Sequence, residues 1–342
     1  MGLVSVIVPC YNEQRTIRWL LDALHAQTYP HQQMEVIIAD GLSTDQTREE
    51  IARFQEDISD LKVVVVENPK RSIPAGLNRA IFESKGDYII RLDAHSIPYP
   101  DYVERCISVL LEKQADNVGG MWEIRPGGKG WLADSIAIAA AHPLGVGDAR
   151  YRIGGNAQEV DTVPFGAFRR ELVEKIGGFD ESLLSNEDYE FNARIRQSGG
   201  RVWFDPRIRA VYFARRNLFE LAQQYWRYGY WKARMLLRYP STFRWRQLAG
   251  FFVLSIIVFA ILGIWFSSAR WLLFVEVGIY LLVLLFSGLE IAWQRKYIPF
   301  IIGLPLAIAT MHFSWGVAFL WSLFKFLLEK NGKKPFQIKR KR

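Results

Sequence analysis

Cysteine is almost missing from this chain of 342 residues: Cys10 and Cys106 stand alone on separate segments. That excludes a disulfide framework and suits a reducing compartment. A secretory leader is missing too. Val4 to Val8 is a short apolar run ended by Pro9, too brief for a signal h-region and without a cleavage site. The N-terminal part is therefore expected to stay in the cytoplasm. The sequence shows no internal repeat and no long disordered region. Charge is absent from long stretches after residue 247: Ala249 to Phe266 has none, Leu272 to Leu289 only Glu276, and Ile298 to Leu323 is again apolar.

Half of the residues are hydrophobic, enough for a full domain core with apolar sequence left over. The leftover runs match a hydrocarbon layer roughly 30 Å thick and are apolar on all faces, so they predict membrane spans rather than core helices. The expected number is two, with the third segment either a full span or re-entrant, broken near Gly303-Leu304-Pro305. The net charge of +8 is uneven. Arg227, Lys232, Arg234, Arg238, Arg244 and Arg246 precede the first run, and Lys339-Arg340-Lys341-Arg342 close the chain. Such clusters also suit nucleic acid, but beside apolar runs positive-inside topology and contact with membrane lipids explain them better, so no nucleic-acid partner is expected.

The first half alternates strand and helix signals, the pattern of a parallel α/β sheet. Strands are expected at Val4–Val8, Val36–Ala39, Val63–Val66 and Tyr88–Leu92, with helices from about Glu13, from about Thr44 and through Leu77. Further on, Gly119–Trp122 and Val160–Phe165 look like strands, and Ala133–Ala141 and Ser185–Gln197 like helices. The glycine-rich stretch from Gly145 to Gly155 reads as a mobile loop. Asn217 to Leu237 mixes Tyr225, Trp226, Tyr228, Tyr230 and Trp231 with cations, an amphipathic stretch suited to the headgroup layer.

Ligands of open α/β sheets gather at the carboxyl ends of the strands. Pro9, Tyr11 and Glu13, then Asp40, then Asp93 and His95 all stand there. Asp93-Ala94-His95 presents a carboxylate and an imidazole on alternate residues, a partial shell suited to Mn2+ more than Mg2+. Asp93 alone could equally be an ordinary turn residue. Asp40 is either a helix cap or an acceptor for the N3–H of a uracil; Tyr11 suits stacking on the base. Lys70 and Arg71 are either a solvated turn or phosphate contacts. Ser185-Asn186-Glu187-Asp188 reads both as a capping box and as a source of a general base facing a cleft, Asp188 before Glu187. A helix N-terminus would depress such a carboxylate. Gln224, Arg227 and Tyr228 either anchor the interface or line an acceptor sugar.

In this order and spacing the motifs resemble the family 2 inverting glycosyltransferases, with Asp161 to Arg170 and Gly177-Gly178-Phe179-Asp180-Glu181 similar to the bacterial succinoglycan-type membrane glucosyltransferases. The resemblance covers roughly residues 3 to 240. It implies a GT-A, Rossmann-like nucleotide-diphospho-sugar transferase domain over 1–216, interface helices over 217–247, a transmembrane region over 248–328 and a basic tail over 329–342. It further implies an inverting, metal-dependent transfer, with glucose as the sugar, from a UDP-sugar to a polyprenyl-diphosphate-linked saccharide at a bacterial-type inner membrane. The diphosphate would sit on a metal at Asp93 and His95, with Gly166, Gln224, Arg227 and Tyr228 toward the acceptor. His95 departs from the family's Asp, and Tyr228 from the Trp of processive synthases, whose Gln-x-x-Arg-Trp is otherwise matched. A processive synthase and a non-enzymatic membrane scaffold with a degenerate nucleotide domain are the alternatives. A nucleotidyltransferase would need a glycine-rich phosphate loop where Pro9 to Glu13 stands.

Overall fold

The structure, a computed structural model, describes residues 2–332, except the side chains of Arg246 and of residues 330–332. It forms two compact units. One comprises residues up to Gly127 and Ala140–Ala214; the other comprises Gly128–Ala139 and the residues from Arg215 onward.

The first unit is built on a nine-stranded sheet. In chain order its elements are β1 (Val4–Cys10), α1 (Ile17–His25), β2 (Met34–Asp40), α2 (Thr47–Asp57), β3 (Lys62–Glu67), α3 (Ile73–Glu83), β4 (Tyr88–Arg91), β5 (Ile97–Pro98), α4 (Tyr102–Glu112) and β6 (Asn117–Arg125). After the excursion of α5 (Trp131–Ala139) into the second unit come α6 (Pro143–Val146), α7 (Arg150–Ile153), β7 (Gln158–Glu159), β8 (Ala167–Arg169), α8 (Arg170–Ile176), α9 (Glu187–Gln197) and β9 (Val202–Phe213). The strand order is β3-β2-β1-β4-β8-β6-β9-β5, with β7 on β9. The first four strands are parallel; β8 enters antiparallel between β4 and β6.

Successive side chains of a strand point to opposite faces, and both faces here are covered. Val4, Val6 and Val8 pack with Leu20, Leu24, Phe54 and Val103 from α1, α2 and α4. Ile7 and Ile37 pack on the other face with Leu77, Phe168, Phe179 and Phe191. This sandwich fixes the carboxyl ends of β1, β2 and β4 beside one another, where the candidate residues lie.

Two expectations change. Val160–Phe165 is not a strand; the pairing residues are Ala167–Arg169, because that is where the chain runs alongside both β4 and β6. The glycine-rich stretch is not a plain loop but holds the two helical turns α6 and α7, each ended by a glycine at positive φ, Gly147 and Gly154.

The second unit contains α5, α10 (Leu218–Arg238), α11 (Ala249–Leu262), α12 (Ser267–Arg295) and α13 (Phe300–Gly332). α13 is its centre and packs on the other four helices. α10 and α13 approach closely at Gly229 of α10, where an added Cβ would come 2.2 Å from the Trp315 carbonyl oxygen. Arg234 adds a two-pronged ion pair to Glu329, at 2.7 and 3.2 Å. α12 and α13 are long and apolar enough to cross a membrane. α11, with 14 residues, spans about 21 Å and falls short of the hydrocarbon thickness. The shortest apolar element is thus the first and not the third: α13 runs unbroken through Pro305, which sits inside it. The basic tail beyond residue 332 lies outside the described residues.

Candidate active site

The loops at the carboxyl ends of the strands bend sharply. Seven non-glycine residues among those described have positive φ, and five of them border this region: Asn12 after β1, Leu42 after β2, Arg71 after β3, Phe165 before β8 and Asn186 before α9. Such conformations persist only where the surroundings over-determine them, and they concentrate at working sites.

At the centre is Arg91, the last residue of β4 and one the motif reading passes over. Its side chain is 4% exposed and meets three carboxylates. Nη2 lies 3.0 Å from Asp93 Oδ1 and 3.0 Å from Glu187 Oε1, and Nη1 is in direct contact with Asp188 Oδ1. Nε is buried without a hydrogen-bond partner. One guanidinium thus gathers the acid after β4 and the pair that opens α9. The signal was available in the sequence: a charged residue inside an otherwise apolar strand, two before a candidate ligand. The backbone locks the group in place, since Arg91 N–H donates to the Gly166 carbonyl at 2.9 Å.

Burial raises the Asp188 carboxyl, and the charges of Glu187 and Asp93 add to that; Arg91 pulls the other way, leaving Asp188 at about 7. The depression expected from the helix N-terminus is outweighed. The expected capping box is not formed. The N-cap is Asn186 in the left-handed region, without a side-chain capping bond, so neither acid is engaged in capping.

His95 Nδ1 lies 3.0 Å from Glu13 Oε1. Burial opposes charging of this imidazole, but the hydrogen bond to Glu13 and the negative charges of Asp93 and Glu13 prevail and lift it to about 9. Glu13 holds one ring nitrogen, so that Nε2 is the ring atom that could serve as a ligand, as in a metal-binding histidine oriented by a carboxylate. Asp93, with a fifth of its side chain exposed, can supply an oxygen beside it. The donor set fits a divalent ion whose other positions are filled by substrate and water.

Around this centre, Tyr11 is 44% exposed and the Arg71 guanidinium lies over its ring at 5.8 Å. Pro9 is in the last turn of pairing between β1 and β2, opposite Ala39. Lys70 is exposed and paired with Glu181 at 2.6 Å. Two expected contacts are displaced. Asp40 is fully buried and its oxygens are taken by Ser43 Oγ at 2.5 Å, by the Ser43 N–H and by Arg48 Nε at 2.5 Å, so it organises its loop and offers no face to a base. Gly166 is buried, and a Cβ there would come 2.4 Å from Asn117 Oδ1. It packs closely on the Asn117–Asn192 hydrogen bond. Gln224, Arg227 and Tyr228 belong to the second unit, on α10; the Gln224 amide donates to Tyr228 Oη at 2.9 Å and Arg227 is exposed.

Residues 5–177 match the family described as Glycosyl transferase family 2. The chain is 32% identical over 323 residues to the succinoglycan biosynthesis protein ExoA of Rhizobium meliloti (strain 1021), covering 94% of this chain and 95% of that protein. It is 24% identical over 333 residues to a dolichyl N-acetyl-alpha-D-glucosaminyl phosphate 3-beta-D-2,3-diacetamido-2,3-dideoxy-beta-D-glucuronosyltransferase of Methanococcus voltae, covering 95% and 98%. Among solved structures, the mannosyltransferase PcManGT from Pyrobaculum calidifontis, in complex with GDP-Man and Mn2+, shares the fold with a TM-score of 0.62 at 21% identity over 95% of this chain and 88% of that one. Staphylococcus aureus TarS 1-349 in complex with UDP does so with a TM-score of 0.51 at 18% identity, over 99% and 94%. The chain has a GT-A-like α/β fold and belongs to glycosyl transferase family 2.

Proposed function

We propose that this glycosyltransferase inverts the anomeric centre of a UDP-sugar, glucose by resemblance, and transfers it to a lipid-linked saccharide for a cell-surface polysaccharide. The observation that carries the reading is the Arg91 hub, which brings a metal-ligand carboxylate and a carboxylate raised to about 7 to one cation. An acceptor hydroxyl placed against Asp188 gives up its proton as it attacks the anomeric carbon from the face opposite the diphosphate. The oxygen–carbon bond forms as the carbon–diphosphate bond breaks, and UDP carries away the electron pair. Arg91 keeps Asp188 oriented and offsets the charge of Asp93 and Glu187 throughout. Tyr11 and Arg71 would flank the base, and Lys70, once free of Glu181, the phosphates. Asp93 and His95 would hold a divalent ion, Mn2+ by their donor chemistry, which when bound supplies positive charge to the leaving diphosphate.

The names of the relatives support an acceptor in polysaccharide or lipid-linked glycan synthesis. The two long apolar helices support a multi-pass protein with its catalytic unit on the cytoplasmic side. The test is release of nucleotide from UDP-glucose, UDP-N-acetylglucosamine and GDP-mannose by the full chain, with and without a lipid-linked acceptor. Acceptor-dependent UDP release with a β-linked product is expected. Release from GDP-mannose alone, or retention of the α configuration, overturns the reading.

A further inference from the structure

The amino ends of the parallel strands lie away from the catalytic loops and carry a cluster that the transfer chemistry does not use. His25 closes α1, His31 opens a 3-10 turn (His31–Gln33) just before β2, and Asp60 lies between α2 and β3. Two of the five histidines of the chain are here. His25 Nε2 is 3.1 Å from Asp60 Oδ1, and His31 Nδ1 is 2.7 Å from Asp60 Oδ2. The ring centroids are 5.0 Å apart with planes inclined by 32°. One ligand atom from each residue lies within 4.8 Å of the other two.

A single histidine against an aspartate is an ordinary surface pair. Two imidazoles that turn different ring nitrogens onto the two oxygens of one carboxylate form a convergent donor set. Tetrahedral Zn2+, with bonds of about 2.0–2.2 Å, separates neighbouring donors by roughly 3.3 Å. The two nitrogen–oxygen separations are slightly tighter than that, so small side-chain rotations open a seat for the ion. His31 is mostly buried, whereas Asp60 is half exposed and leaves an outward position to water and a path of entry. Two imidazoles and one carboxylate suit Zn2+ better than the hard ions Mg2+ and Mn2+.

We propose that His25, His31 and Asp60 form a second metal site, for Zn2+ with water in its remaining position, separate from Asp93 and His95. The ion ties the end of α1 and the turn before β2 to the loop before β3. Two connections, from α1 to β2 and from α2 to β3, supply the ligands, so only the folded sheet assembles the site, and bound Zn2+ stabilises that fold by mass action.

The experiment measures Zn2+ retained by the full chain in nanodiscs, by equilibrium dialysis in a large excess of Mn2+ that competes for Asp93 and His95. One Zn2+ per chain is expected, together with a Zn2+-dependent rise in the unfolding midpoint. His25→Ala and His31→Ala should each weaken retention by at least about tenfold, the lower range seen even for outer-shell changes, while their transfer activity with Mn2+ reports intact folding. Asp93→Asn should keep the Zn2+. Absence of retained Zn2+ in the unaltered chain overturns the proposal, as does full retention in both histidine variants or its loss in Asp93→Asn.

Discussion

Arg91 makes the acids of the site interdependent, because each carboxylate is balanced by a cation it shares with two others. Arg91→Met should destabilise the chain by about 3 kcal/mol or more, the cost of leaving buried charges unpaired, seen as a lowered midpoint in denaturant. The loss should shrink as the pH falls and the acids take up protons. Arg91→Lys should recover little, since a point charge cannot replace the two-pronged fork. Asp188→Asn should lower kcat/KM about 10²–10⁴-fold, the usual worth of a general base, with nucleotide binding nearly intact. A group raised to about 7 must lose its proton to act as the base. kcat/KM should therefore rise with pH through about 7, and a flat profile between pH 6 and 8 would turn attention to Glu187. His95 gives the opposite sign. With its proton held up to about pH 9, it must release that proton to bind metal, so Mn2+ affinity measured by calorimetry should climb between pH 7 and 9. In His95→Asp that slope should vanish and the preference move toward Mg2+. The same raised value stabilises the metal-free fold below about pH 6.5, a contribution lost as the pH rises through about 9. The stations Glu13, Asp93, His95, Glu187 and Asp188 are visible in the sequence because each stands at the end of an element. The saturation of Asp40 by Ser43 and Arg48 is not, because Arg48 points back from the first turn of α2, a direction no spacing rule gives.

At the level of elements, β1 to β4 are legible because buried parallel strands are continuous apolar runs. β5, β7 and β8 are two or three residues long, too short to carry a period, so only their partners define them. Pro305 suggests a break because its ring removes a backbone donor. The helix nevertheless continues, with α10, α11, α12 and α5 packed on its sides. Gly229 is where the backbones of α10 and α13 meet most closely. Gly229→Leu should force α10 and α13 apart and lower the thermal midpoint of the purified protein, at a cost of about 1–3 kcal/mol. An unchanged midpoint would mean that the two helices slide apart without cost.

At the level of the whole molecule, the proposed lipid-linked acceptor predicts that a chain cut after Arg216 binds UDP but transfers poorly to it, because the cut removes both helices long and apolar enough to cross a membrane, and with them the local acceptor concentration that a membrane anchor would supply. Equal transfer rates in membranes for the cut and full chains would remove the lipid-acceptor reading's main support. The cut chain should also be prone to self-association, since α5 is left without α13 and exposes Trp131 and Ile136. The antiparallel entry of β8 beside β4 has a further consequence, in time. During synthesis the parallel strands and the loops at their ends are complete once β4 has emerged. β8 follows only after roughly 75 more residues and α9 after roughly 95, about 5–20 s for the latter at ordinary translation speed. For that interval the nascent chain owns a nucleotide platform with no base, so a donor captured early has nothing to activate water against it.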